Sequence, residues 1–274
     1  MQLRIGVIGH VEHITLGRVT ALPGPGDIAH LESPRCLPGG GGGIAFFQLI
    51  KGPAQVHLFT AFGDDDAAAF VEAAVAGSGA VIHATKRPVA HTRDVVMIDP
   101  LGERTIVVVG EPLHPRASDS LPWDLLAELD AVYFTAQDPA LLVRAREARL
   151  LIATARRQPS IAASGVRLDA VIGSRSDPRE SSERADYAVP PDAVVMTEGA
   201  QGGGVETEAG TTGFSSPQSE VIGGAYGAGD SFAGAFVYYL ASGCDAATAA
   251  SRAAPHGAAV VAGLDPITSQ TRLT

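Results

Sequence analysis

One stretch of the sequence holds the residue types best suited to chemistry. Residues 223–236 read Gly-Gly-Ala-Tyr-Gly-Ala-Gly-Asp-Ser-Phe-Ala-Gly-Ala-Phe. A Gly227-Ala228-Gly229 turn runs into a strong helix-forming segment, so the amides of Gly227, Ala228 and Gly229 point outward at a helix N-terminus. Amides so arranged form an anion hole suited to phosphate oxygens, and glycine lets a ligand approach the main chain closely. Asp230 follows directly. A carboxylate beside a phosphate site repels the phosphate unless it has a task, and taking the proton of an attacking hydroxyl is such a task. The plainer alternative is an aspartate in a first helical turn, favoured by the helix dipole. Two better-known phosphate motifs are absent. There is no Gly-x-x-x-x-Gly-Lys-[Ser/Thr], and Phe232 stands where Gly-x-Gly-x-x-Gly needs its third glycine. Ser231 lacks the Gly-x-Ser-x-Gly frame of a nucleophile.

A second group follows the first apolar segment: His10-Val11-Glu12-His13. On a strand His10 and Glu12 share a face and His13 points away, which spoils a three-ligand metal site. The remaining readings are ordinary polar residues, or contacts to an acceptor at the carboxyl edge of a parallel sheet. Five consecutive glycines, 39–43, precede a helix over residues 44–51 capped by Gly52.

The elements that must position these residues follow from periodicity. Residues 3–8 and 56–61 read as strands, with a helix over 67–76 whose start carries Asp64, Asp65 and Asp66. Residues 81–84, 93–98 and 104–109 alternate and look like a small antiparallel unit, the last two joined by an Asp99-Pro100-Leu101-Gly102 turn. Beyond residue 115 short buried strands at 131–135, 150–153, 170–172 and 193–197 alternate with helices, and helices over 229–242 and 246–262 close the chain. The expected fold class is α/β: a mainly parallel central sheet with helices on both faces and a small β lid. One domain is expected over residues 1–274, with lid insertions near 10–36 and 86–110.

Composition narrows the function. The chain has 274 residues, 46% hydrophobic and 18% charged, which is enough apolar material for a sizeable core. The net charge of −10 and the lack of a basic patch argue against nucleic acid as partner. Cys36 and Cys244 are the only cysteines, which excludes a disulfide framework and points to the reducing cytoplasm. No apolar run approaches membrane-spanning length. Asparagine is absent from the sequence, so any role that needs it is closed.

Gly227-Ala228-Gly229-Asp230-Ser231-Phe232-x-Gly234 resembles the C-terminal signature of the ribokinase (PfkB) family of carbohydrate kinases. Four further segments fall in the family's order: the glycines at 39–43 with Ala45 and Gly52, Phe62-Gly63-Asp64-Asp65, Asp99 to Thr105 as a lid hairpin, and Val194-Val195-Met196-Thr197-Glu198-Gly199. The resemblance implies a ribokinase-like sandwich. It also implies ATP-dependent transfer of the γ-phosphoryl group to a hydroxyl of a sugar-like small molecule, with Asp230 as base and Gly227, Ala228 and Gly229 as the anion hole. Thr197 and Gly199 would border the nucleotide with Ser174, and His256 would line the adenine pocket unless it is a half-buried helix histidine. Glu12, Gly39, Gly40, Gly43 and Gln137 would meet the acceptor.

The sequence departs from the family where asparagine and some carboxylates are expected. Gly43 stands at the sugar-contacting Asn, Gly224 at the Asp that opens the C-terminal signature, and Gln137 at a sugar-contacting Glu. The Asn-x-x-Glu motif falls on Ser174-Arg175-Ser176-Asp177, leaving Asp177 to serve Mg²⁺ through water. The alternatives implied are a nucleoside kinase on the same fold and a non-catalytic nucleotide or sugar sensor. A homodimer through the lid strands is also implied.

Overall fold

The computed structural model describes residues 2–274. Its larger sheet is built on apolar segments buried on both faces, as parallel strands require. In chain order the strands of the molecule are β1 (Arg4–Ile8), β2 (Glu12–Arg18), β3 (Glu32–Gly39), β4 (Gln55–Phe62), β5 (Val81–Lys86), β6 (Arg93–Ile98) and β7 (Arg104–Val109). There follow β8 (Ala131–Phe134), β9 (Leu151–Thr154), β10 (Ala170–Ser174), β11 (Ala193–Thr197), β12 (Gly203–Thr207) and β13 (Gly210–Phe214). The helices are α1 (Gly40–Leu49), α2 (Asp66–Ala76), α3 (Pro139–Ala145), α4 (Gln158–Ser164), α5 (Ala228–Ala241) and α6 (Ala246–Val261).

Nine strands form the large sheet in the order β13-β12-β11-β10-β9-β8-β1-β4-β5. It is parallel from β5 to β11, and the β12–β13 hairpin adds the antiparallel end. Alternation along each strand divides the core between the two faces. Ile5, Val7, Ala131 and Tyr133 pack with α1, α2, α5 and α6, while Ile8, Val132 and Phe134 pack with α3, α4 and Trp123. The helices therefore cover both faces, as the βα rhythm implies.

A second sheet of four strands, in the order β3-β2-β6-β7, lies apart and packs through Ile14, Leu16, Leu37, Val96 and Ile98 onto Ile44 of α1 and Tyr226. Two expectations change here. Residues 81–84 do not belong to the small sheet: β5 pairs in parallel with β4, Leu58 opposite Ile82, and forms the edge of the large one. Its alternation reflects an edge strand with one covered face. The small sheet is also not wholly antiparallel, because β2 and β6 run side by side in parallel. The glycines at 40–43 lie inside α1, whose last residue is Leu49, two short of the expected end.

Their place in α1 is a packing matter. Backbone comes so close on two sides that a side chain has no room. A methyl group at Gly43 would lie 2.9 Å from Val11 Cγ1, and one at Gly42 would lie 2.6 Å from the His10 carbonyl oxygen. Across the α1–α5 contact, a methyl at Gly234 would lie 2.6 Å from the Ala45 carbonyl oxygen. Gly234→Val is expected to overpack this contact by about 1–3 kcal/mol and to lower the melting temperature by roughly 2–10 °C. Gly77→Ala, at a helix end with φ −68°, serves as the tolerated control. Thermal melts compare the two, and a wild-type melt for Gly234→Val contradicts the close approach.

Candidate active site

The turn before α5 has the geometry that its glycines suggest. Gly227 has φ +80°, a left-handed conformation open to glycine, and a methyl there would also lie 2.6 Å from Pro266 Cβ. The amides of Gly227, Gly229 and Asp230 have no acceptor among the described residues. Ala228 differs from expectation: its amide is directed into the turn, toward the Ala225 carbonyl at 3.4 Å. The free set is therefore Gly227, Gly229 and Asp230. Space around the Cα of Gly229 is open, as an anion-binding position requires.

Asp230 stands at this open mouth, half-buried, with α1 beside it: a methyl at Gly41 would lie 3.1 Å from Asp230 Oδ1. Burial, and then the charge of Glu180, push the Asp230 carboxyl up to about 6, against the opposing pull of Arg104 and Arg156. Arg104 opens β7 of the small sheet, whose hairpin tip reaches the same turn through the Ala225 amide and the Gly102 carbonyl, 3.2 Å apart. Asp99 Oδ1 holds that tip by accepting from the amides of Leu101 and Glu103 at 2.8 and 2.9 Å.

Glu12 lies on the other side of the glycines. A methyl at Gly40, which has φ +76°, would lie 2.8 Å from Glu12 Oε2, and the Gly40 amide donates to Tyr226 Oη at 3.3 Å. A methyl at Gly39 would meet the same Tyr226 hydroxyl at 2.8 Å. Burial and the neighbouring Asp94 carboxyl raise Glu12 well above the usual carboxylate range, and burial raises Asp94 as well. His10 Nε2 lies 3.7 Å from Glu12 Oε1, while His13 turns away and stacks edge-on against Phe70, so the alternating faces are as the strand reading has them. The His10 ring meets His114 edge-on at 4.7 Å, and burial depresses both, His114 to about 3.

Several expected site residues are placed otherwise. Gly43 faces Val11 and donates to the His10 carbonyl at 3.1 Å, so its role is packing. Gln137 is exposed, and its carbonyl accepts from Ser160 Oγ at 2.6 Å. His256 has both ring nitrogens engaged, with Tyr239 Oη at 3.1 Å and Thr271 Oγ1 at 2.7 Å, and offers none to a base. Ser174 and Thr197 do lie side by side, paired across β10 and β11, with Gly199 (φ +58°) just beyond. Asp177 is bound to Arg156 at 2.8 Å and to Arg179 at 3.0 Å, which hold its carboxyl far below the usual range. Glu180, which also pairs with Arg156, is the carboxylate whose charge reaches Asp230. Among the described residues no cluster of three or more His, Cys, Asp or Glu could hold a metal ion. Asp94, Arg104, His114, Arg157 and Glu180 went unread in the sequence, because each reaches the site from a different part of the chain.

Residues 168–272 match the model of the pfkB family carbohydrate kinases. The whole chain has the fold of ribokinases. Against the ribokinase of Thermotoga maritima the TM-score is 0.79 at 18% identity, covering 98% of this chain and 96% of the other. Against the Arabidopsis thaliana ribokinase complexed with ribose and ATP it is 0.78 at 16% identity, covering 99% and 96%. The nucleoside kinase of Methanocaldococcus jannaschii gives 0.75 at 15% identity, covering 98% and 95%. No curated protein matches by sequence. The fold so defined is ribokinase-like. The likeness to the pfkB family is thus one of sequence over residues 168–272 and one of fold over nearly the whole length.

The raised Asp230 carboxyl has a consequence for stability. Its folded value of about 6 lies above the ordinary 3.8, so the folded protein keeps a proton that the unfolded chain has released. Stability therefore falls as pH rises from about 4 to about 6, and the ionised carboxylate is a standing cost above that. Asp230→Asn is expected to melt higher than wild type at neutral pH, by a margin that shrinks toward pH 4. Melting curves across pH check this, and a margin that does not change with pH contradicts it.

Proposed function

We propose that the protein is an ATP-dependent phosphotransferase that moves the γ-phosphoryl group to a hydroxyl of a sugar-like acceptor, with Asp230 as general base. The observation that carries this reading is the position of a half-buried carboxyl, raised to about 6, beside the free amides of Gly227, Gly229 and Asp230. A base poised near working pH suits proton transfer. The acceptor hydroxyl gives its proton to Asp230 as its oxygen forms a bond to the γ-phosphorus. The bond from that phosphorus to the bridging oxygen breaks, and ADP leaves. The amides at the start of α5 hold the equatorial oxygens, and Arg104 over the mouth opposes the negative charge gathered there. The Ser174–Thr197 edge with Gly199 borders the nucleotide, and Glu12 with Gly39 and Gly40 borders the acceptor. The first reading rests on the carboxyl ends of the parallel strands β10 and β11, the second on Glu12 at the start of β2, opposite Gly39 and beside Gly40.

Magnesium would enter with the nucleotide in this reading and would supply charge neutralisation to its phosphates. Glu180 fits as the carboxylate facing it, better than Asp177, whose charge two guanidinium groups already balance. We read the whole chain as one kinase domain. The small sheet also offers a pairing edge: β7 exposes Ile106, Val107, Val108 and Val109 by 40–52%. A second copy pairing there suits such an edge, and Val107→Lys with Val109→Lys is expected to shift a dimer to monomer by light scattering. A wild-type monomer contradicts the dimer.

The activity is tested on Asp230→Asn over sugar and nucleoside panels with ATP. Turnover is expected to fall by at least about 100-fold with ADP affinity retained. Gly229→Val, which meets open space, is expected to fold normally and to lose about 10²–10³ in rate by crowding the anion site. Equal turnover in Asp230→Asn and wild type contradicts the base. Nucleotide binding without turnover of any acceptor by wild type favours the sensor.

A further inference from the structure

Arg157 poses a question that the transfer chemistry leaves open. It ends the short turn after β9, largely enclosed, and makes no ion pair among the described residues, whereas its neighbour Arg156 pairs with both Asp177 and Glu180. Arg157 Nε donates to the Thr135 carbonyl at 2.7 Å, and Nη2 lies 3.4 Å from His114 Nε2. A guanidinium only donates, so His114 Nε2 presents its lone pair and the ring proton sits on Nδ1. That Nδ1 is buried without a partner, as are Thr135 Oγ1 and His10 Nδ1. The four residues form one contiguous cluster, His10 against His114, His114 against Arg157, and Arg157 against Thr135.

The cluster lies in the acceptor half. His10 ties it to the acid pair, with its ring against His114 and its Nε2 3.7 Å from Glu12 Oε1, and Arg157 feels the charge of Glu12 after that of Arg156. Burial raises the carboxyls of both Glu12 and Asp94. An enclosed cation with no counter-ion, beside a His114 Nδ1–H and a Thr135 hydroxyl with no acceptor, is costly until an anion arrives. One planar fork with a hydroxyl and a neutral imidazole beside it matches a single planar carboxylate. A phosphate dianion would bring a second charge toward the Glu12–Asp94 pair.

We infer that the acceptor is a sugar acid, a polyhydroxy carboxylate whose carboxylate binds Arg157 and whose hydroxyls extend past Glu12 toward Asp230. This rests on the kinase reading only for the direction of the chain of hydroxyls; the binding itself can be measured without turnover. Calorimetry on the full chain compares D-gluconate, D-galactonate and 2-keto-D-gluconate with D-glucose, D-galactose, D-fructose and fructose 6-phosphate, and measures ADP separately. At least one acid is expected to bind about 10- to 100-fold more tightly than its parent sugar. Arg157→Met is expected to lose that advantage while keeping its ADP affinity and its affinity for neutral sugars, and Arg157→Lys to recover part of it. The inference is overturned if no acid binds, if neutral sugars bind as tightly, if fructose 6-phosphate outbinds every acid, or if the advantage survives in Arg157→Met. Should Arg157→Met not fold, the wild-type ratio and Arg157→Lys decide. Acid binding without phosphoryl transfer would sink the kinase reading alone, and turnover of neutral sugars with acids ignored would sink this inference alone.

Discussion

The close approach of α1 to α5 is the constraint on which the site depends. The two helices meet backbone to backbone where Gly234 faces the Ala45 carbonyl, and Gly227 at the head of α5 lies against the Ile44 side chain. Only with α1 seated there does Gly41 come up against Asp230 and Gly40 against Glu12. Each position is one that a single Cβ would spoil. The run of glycines thus brings the main chain of α1 to the boundary between the two halves of the site, where a side chain would have blocked the path from hydroxyl to phosphate. The small sheet completes the enclosure by resting on Ile44 and Tyr226, and its hairpin brings the charge of Arg104 within reach of Asp230.

Electrostatics then divides the enclosed space. Near α5 the free amides and Arg104 favour negative charge, and Glu180 keeps Asp230 from ionising too readily. Across the glycines burial and the neighbouring Asp94 raise Glu12, and burial raises Asp94, so Glu12 opposes an approaching phosphate less than an ordinary carboxylate would. The histidines in this half are held neutral by burial, which makes them directional partners and leaves Arg157 as the cation. Carboxyls raised together by burial are a common mark of sites that move protons.

What the sequence disclosed, it disclosed locally. The turn at Gly227 and the helix after it are written in adjacent residues, as are the buried strands of the parallel sheet. Ala228 was misjudged within that same turn, since only the actual dihedrals decide which amide turns inward. β5 was assigned to the wrong sheet, because an edge strand and a lid strand alternate alike and the partner that tells them apart, β4, is distant in the chain. Asp177 drew attention over Glu180 by spacing alone, although the fold ties the first to Arg156 and Arg179 and aims the charge of the second at Asp230. The Arg157–His114–Thr135–His10 cluster had no local signature, since it joins the ends of three strands and a loop that meet only in the folded protein.

The claim on which everything else turns is that the fold lifts Asp230 into the range of a working base. Selective carbon-13 labelling of aspartate, with the Asp230 signal assigned by its loss in Asp230→Asn, lets that one carboxyl be titrated directly. The expected midpoint is about 6, well above the ordinary 3.8. A midpoint at the ordinary aspartate value would contradict it, leaving Asp230 a solvated helix-start carboxylate with no special readiness to take a proton.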